Sequence, residues 1–237
     1  MIKTLILADI HGNWPALRAV IAAEPGVERI VCLGDLVGYA PFSHEVTERI
    51  RASGIATVMG NYDDGVGFDR DDCGCAYKTP EEQELGNRSL EWTKAHVTED
   101  DKSFLRTLHS EIRFDVDGQR ILLVHGSPRK MNEYLFEDRA ASSFQRLAAS
   151  SNADIIAFGH THKPYTKVVD GVRFVNTGSV GKPKDGDPRA GYVILTPGAA
   201  EPIEFVRLPY DVASVAAAIR ASELPDKFAE DLERGGA

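Results

Sequence analysis

Cysteine is scarce in this chain of 237 residues, and three cysteines do not build a disulfide scaffold. Cys32 lies inside an apolar run and reads as a buried thiol. Cys73 and Cys75 flank Gly74 in a loop-like stretch, one residue closer than the pair of a CxxC redox motif. A structural role is expected for them, with a redox or extra-metal role as the alternative. Long hydrophobic runs are missing too: none approaches the roughly 20 residues of a membrane-crossing helix, and no membrane partner is expected. Met1-Ile2-Lys3-Thr4 enters a strand-like run directly, without the apolar region and small-residue cleavage site of a secretory leader. The cytoplasm is therefore the expected location. Positive charge is also short, with 27 Lys and Arg against 36 Asp and Glu and a net charge of -9. That balance disfavours a nucleic-acid partner and leaves a small phosphorylated substrate open. Internal repeats and low-complexity linkers are absent. The remaining composition, 43% hydrophobic and 27% charged, is that of an ordinary globular protein, so function has to be read from particular residues.

The first sixty residues alternate strand and helix patterns. Residues 2–8 are mostly aliphatic, as in a strand covered on both faces. Asn13 reads as a helix N-cap with Pro15 in the first turn, and Ala16, Leu17, Val20 and Ile21 supply the apolar face. Strands follow at 29–33 and 55–59, separated by a helix at 43–53 that Gly54 stops. Residues 61–80, rich in Asp, Gly and Cys, are expected to form a long loop. Helical segments are expected at 81–95, after Thr79-Pro80, and at 99–109. The span 61–110 is therefore read as a loop and helical insertion within a single domain covering 1–237. Asp117-Gly118 and Asp170-Gly171 mark hairpins between 113–116 and 120–124 and between 165–169 and 172–175. A helix at 138–149, strands at 154–158, 191–195 and 204–208, and a helix at 212–220 complete the pattern. The last residues are polar and expected to fray. Parallel strand–helix units followed by hairpins indicate an α/β fold of two sheets packed together with helices outside.

Five apolar runs end in side chains that bind metals. The run at 4–8 leads to Asp9 and His11, 30–34 to Asp35, 55–60 to Asn61, 121–124 to His125, and 155–159 to His160 and His162. Taken singly, Gly-Asp and Gly-Asn pairs are ordinary turn dipeptides. Histidine changes the balance: of seven in the chain, four directly follow these runs. Carboxylate, imidazole and amide donors at strand ends are what a two-metal hydrolytic site requires.

Taken in order, Asp9-Ile10-His11, Gly34-Asp35-Leu36-Val37-Gly38, Gly60-Asn61-Tyr62-Asp63, Val124-His125-Gly126 and Gly159-His160-Thr161-His162 resemble the five motifs of the calcineurin-like metallophosphoesterase superfamily. The stretch 176–190 is similar to its small prokaryotic phosphodiesterase branch. The resemblance extends from residue 2 to about 195. It implies a four-layer αββα sandwich of two mixed β-sheets flanked by helices. It also implies two divalent transition metal ions, manganese first and iron, zinc, cobalt or nickel as alternatives. Asp9, His11 and His162 would hold one ion, Asn61, His125 and His160 the other, and Asp35 would bridge them. The implied reaction is attack on phosphorus by a metal-bridging hydroxide, with Asp35 and Asn61 in the catalytic set. The expected function is a dinuclear metal-dependent phosphodiesterase. The alternatives are a phosphomonoesterase or protein phosphatase on the same site, or a non-catalytic scaffold of this fold. A homo-oligomer is left open.

One motif departs from the pattern. Many family members carry histidine where this chain has Tyr62, and that histidine is the leaving-group acid. A phenol with an ordinary pKa near 10 donates poorly at neutral pH, so Tyr62 is either a catalytic acid or a residue packed beside the site. Asp63, without its usual His partner, reads as a turn residue. Arg129, Lys182 and Arg189, with Lys130 and Lys184 beside them, are candidate substrate contacts, with solvated surface charge as the alternative.

Overall fold

The computed structural model describes residues 2–236. Strands β1 (Thr4–Leu7), β2 (Arg29–Cys32), β3 (Ala56–Thr57), β9 (Ala190–Leu195) and β10 (Ile203–Leu208) form one sheet in the order β10-β9-β1-β2-β3. Strands β4 (Ile112–Val116), β5 (Gln119–Leu123), β6 (Ile155–Phe158), β7 (Tyr165–Val169) and β8 (Val172–Asn176) form the other, in the order β4-β5-β6-β8-β7. Each sheet holds three strands paired in parallel and two joined by antiparallel pairing. β1 pairs with β2 and β2 with β3 in parallel, whereas β9 runs against β1 and β10. β5, β6 and β8 are parallel, flanked by antiparallel β4 and β7.

Strand alternation creates the layers. Leu5 and Leu7 of β1 pack with Ala16, Leu17 and Val20 of α1 (Trp14–Ala23) and with Val46 and Ile50 of α2 (Ser43–Ser53). Ile6 and Ala8, on the opposite face, meet Ile121, Leu123 and Ala157 of the second sheet. That sheet in turn buries Leu122, Ile156 and Phe174 against Phe144 and Leu147 of α6 (Ala141–Ser151). The expected four-layer sandwich results. Each fully buried aliphatic side chain contributes about 1.5–3 kcal/mol before conformational entropy is counted.

Two expectations are corrected. The stretch after Gly60 does not begin as a loop: Asn61–Gly67 is a helix, α3, and it precedes α4 (Pro80–His96) and α5 (Glu99–Leu105). Gly65 and Gly67 hide the helix from a pattern search. They are there because a Cβ at Gly65 would lie 3.1 Å from Leu90 Cδ1, and one at Gly67 3.1 Å from Leu105 Cβ. The chain after Arg220 does not fray either. After α7 (Val212–Ala221) comes α8 (Asp226–Glu233), with Phe228, Ala229 and Leu232 buried against Val215, Ala216 and Ile219. The polar residues between Phe228 and Leu232 mask that i, i+4 stripe.

Candidate metal centre

The donor residues sit on the turns that leave the C-terminal ends of β1, β2, β3, β5 and β6. Five of them, Asp9, His11, Asp35, His160 and His162, have left-handed backbone with φ between 48° and 65°. That region disfavours residues with a Cβ, and its concentration here bends each side chain back over the strand ends. Neighbouring glycines allow the turns to meet. A Cβ at Gly60 would lie 2.2 Å from Asp35 Oδ1, and one at Gly159 2.5 Å from Asp9 Oδ2.

Two buried groups result. Asp9, His11 and His162 converge, as do Asp35, His125 and His160. His11 Nε2 is 3.3 Å from His162 Nε2, and His162 Nε2 is 3.5 Å from Asp9 Oδ1. His125 Nε2 is 3.1 Å from Asn61 Oδ1 and 3.2 Å from His160 Nδ1. Asp35 Oδ2 lies between the groups, 3.6 Å from His11 Nε2 and 3.4 Å from His125 Nε2. All seven donors anticipated in the sequence are therefore brought together.

Hydrogen bonding fixes which atoms face inward. His11 Nδ1 donates to the Val37 carbonyl, His125 Nδ1 to Leu33 and His162 Nδ1 to Lys182. With the proton on Nδ1, each neutral imidazole turns a lone pair inward from Nε2. The Nε2 pair of His11 and His162 is then lone pair against lone pair at 3.3 Å, beside carboxylate oxygens. Neither imidazole offers a proton to the other, and a cation between them resolves the arrangement. Donors about 2.1 Å from a common ion lie roughly 3.0–3.5 Å apart, so the observed separations fit the donor set to a metal.

Electrostatics agree. Burial pushes His11 down to about 4, His160 down to about 3 and His162 well below its ordinary value, which keeps them in the metal-binding form. Burial pushes the Asp9 carboxyl up to about 7. His125 is the exception: burial lowers it, but the Asp35 charge overrides this and holds it at about 9. Asp35, penalised by burial, is nonetheless held below the usual carboxylate range by His125. Without a metal, positive charge is retained only where the bridging carboxylate demands it.

Supporting residues extend beyond the donors. Asp63 is more than a turn residue. Its buried carboxylate accepts from the backbone N–H of Asp35, Leu36 and Gly60 at 2.8, 2.8 and 2.9 Å, fixing the Asp35 turn. Its position in the Gly-Asn-Tyr-Asp motif was the available signal. Ser179 Oγ donates to the Asp9 carbonyl at 2.7 Å, and the Tyr134 ring lies 4.0 Å from that of His160. No pattern pointed to Tyr134. Tyr62 is buried, with its ring edge-on to His11 at 5.4 Å and its hydroxyl 3.4 Å from the Gly86 carbonyl. Burial raises its phenol well above 10.

Above the donors opens a cavity of about 760 Å³. Five of the chain's ten lysines line it: Lys78, Lys163, Lys182, Lys184 and Lys227. Tyr77, Tyr134, Phe136 and Phe228 supply aromatic wall. Lys182 Nζ stands 4.3 Å over the Tyr39 ring, and burial with the adjacent Lys184 pushes its ammonium down to about 7. Three sequence candidates, Arg129, Lys130 and Arg189, fall outside the cavity lining. Arg129 is engaged by Glu133, its Nε 3.2 Å from Oε2, and Arg189 by Asp187 at 2.6 Å. Each has a carboxylate only two to four residues away, which outcompetes a more distant anion.

A family model described as the calcineurin-like phosphoesterase superfamily domain matches residues 2–199. An uncharacterized protein of Methanocaldococcus jannaschii is 31% identical, over 99% of this chain and 100% of its own length. The phosphodiesterase YfcE of Escherichia coli strain K12 is 28% identical, over 82% of this chain and 88% of its own. Among solved structures, a metallophosphoesterase from Sphaerobacter thermophilus is 29% identical, with a TM-score of 0.81 and 99% coverage of both chains.

Proposed function

Because this chain belongs to the calcineurin-like phosphoesterase superfamily, we propose that it is a dinuclear metal-dependent phosphodiesterase. One observation carries the reading: a single oxygen of Asp35 lies within 3.6 Å of a histidine from each donor group. Asp9, His11 and His162 would hold one divalent cation and Asn61, His125 and His160 the second, with Asp35 within reach of both. When bound, such a pair lowers the pKa of coordinated water towards neutrality and offsets charge on phosphoryl oxygens. Imidazole, carboxylate and amide donors suit manganese, with iron, zinc, cobalt and nickel as alternatives.

The chain's own residues do the rest. The backbone carbonyls on Nδ1 of His11, His125 and His162 orient the rings and leave Nε2 as the nitrogen that faces the donor groups. Lys182 and Lys184 draw an anionic substrate into the cavity, and the aromatic wall accepts a flat ring, which favours a nucleotide or aryl ester. The Tyr62 hydroxyl faces a backbone carbonyl and burial raises it well above 10, so Tyr62 is not ready to protonate a poor leaving group. That favours esters whose leaving group departs unaided. The seven converging donors favour an enzyme over a scaffold.

The test is turnover of an aryl phosphodiester and the matching monoester with manganese, and then with the other metals. Faster diester turnover is expected, lost at least about 100-fold in Asp35→Asn while its circular dichroism is unchanged. Faster monoester turnover would make it a phosphomonoesterase. Metal content below one ion per chain after loading would return it to the scaffold class.

A further inference from the structure

The Cys73-Gly74-Cys75 loop connects α3 to α4 and passes directly behind Asn61. Cys73 Sγ and Cys75 Sγ are 3.1 Å apart. Gly74 turns the chain with φ of 66°, which brings the two thiols to the same side. The loop is fastened on both flanks: Gly74 N donates to Asp72 Oδ1 at 2.7 Å, and Asn132 Nδ2 donates to the Gly74 carbonyl at 2.8 Å. Cys75 lines the cavity, whereas Cys73 is 7% exposed beneath it. The third cysteine, Cys32, is completely buried in β2 and has no thiol partner.

The contact with Asn61 gives the pair its consequence. Asn61 Nδ2 donates to the Cys73 carbonyl at 2.9 Å and to Cys75 Sγ at 3.2 Å. These two contacts aim the amide oxygen of Asn61 at His125 Nε2. A disulfide draws the two sulfurs to about 2.05 Å, which requires the three-residue turn to tighten. Tightening moves both acceptors of the Asn61 amide together.

We propose that Cys73 and Cys75 are a reversible oxidation site whose disulfide loosens Asn61 and weakens the donor group to which it belongs. Hydrogen peroxide is the oxidant. One of the two, as the thiolate, attacks the O–O bond and becomes a sulfenic acid, releasing one water. The other thiol then attacks that sulfur, the S–O bond breaks and a second water leaves. Two thiols lose two hydrogens and two electrons, and the peroxide is reduced to two waters. A thiol reductant reverses the change. The oxidation chemistry is independent of the phosphodiesterase reading; its effect on metal binding rests on that reading.

The test uses the full chain, reduced and then treated with hydrogen peroxide. Mass spectrometry is expected to find two hydrogens lost from the peptide carrying residues 73–75, with Cys32 still alkylatable. Dithiothreitol is expected to restore both thiols. Stepwise oxygen addition to either cysteine, or no reaction, would overturn the site. Manganese affinity is read in the same samples by equilibrium dialysis. One of two bound ions is expected to weaken on the order of 10-fold on oxidation, as for loss of an outer contact to a ligand. In Cys73→Ser and Cys73→Ala, compared each with itself before and after peroxide, that shift is expected to vanish. A disulfide that forms without changing manganese affinity would overturn the coupling to Asn61. Failure of the reduced chain to bind manganese at all would sink the phosphodiesterase reading, while the peptide mass still decides the oxidation site.

Discussion

The two oxygens of Asp35 are used differently. Oδ1 accepts the Tyr62 N–H at 2.8 Å, and Oδ2 faces both histidine groups. The main chain of Tyr62 therefore positions a donor even though its hydroxyl is turned away. Tyr62→Phe is expected to keep aryl diester turnover within about threefold of the parent, well short of the 100-fold or more that loss of a general acid produces. Steady-state kinetics with a good and a poor leaving group checks this, and a deficit confined to the poor leaving group would restore an acid role to Tyr62. Asp63 offers a stricter test of positioning. Asp63→Asn sets an amide donor against one of three backbone N–H groups, and a loss of about 1–3 kcal/mol is expected from denaturant unfolding, together with reduced turnover. At this scale the sequence was legible for the donors, because each ends an apolar run. It was silent about what restrains them: Arg129 and Arg189 are neutralised by neighbours that only the folded turns bring into contact.

Among the elements, α2 and α5 are joined by His44 and Asp101, whose Nδ1 and Oδ2 are 2.8 Å apart. The hydrogen bond from Asp101 raises the His44 imidazole above its ordinary value. A group raised on folding stabilises fully below its unfolded pKa near 6.5, and the contribution disappears as pH rises through the folded value. With 44% of the His44 side chain exposed, screening limits this to about 0.5 kcal/mol. Urea unfolding of the parent and His44→Gln at pH 5.5 and 9 is expected to show the parent's advantage only at the lower pH. An advantage that grew with pH would reverse the assignment. The strands and α1, α2 and α4 announced themselves through periodicity and caps: Asn13 and Thr79 each accept a backbone N–H of their helix as expected. Helices α3 and α8 did not, since one gains its stability from glycine-mediated close packing and the other from three apolar residues among charges. Both depend on partners distant along the chain, which local pattern does not encode.

For the molecule as a whole, seven inward-facing donors buried in the sandwich would make cation binding a stabilising event. At free manganese about 100 times its dissociation constant, linkage contributes about 2.7 kcal/mol, equivalent to roughly 5–10 °C in Tm for a chain of this size. Calorimetry before and after a strong chelator is expected to show that loss, and an unchanged Tm would argue that no ion binds at these donors. The two-sheet architecture was readable from strand order, because parallel units precede hairpins. The lysine-lined cavity was not, because its walls come from the loops after α3, β5, β6 and β8 and from α4 and α8.

Each donor group draws on both sheets. Asp9 and His11 leave β1 of the first sheet, whereas His162 follows β6 of the second; Asp35 and Asn61 follow β2 and β3, whereas His125 and His160 follow β5 and β6. A bound ion in either group is therefore a rivet through two plates. Separating the plates breaks ligand contacts, so a bound ion would slow the opening of the sandwich, while the cavity above the donors leaves the ion its own way in and out.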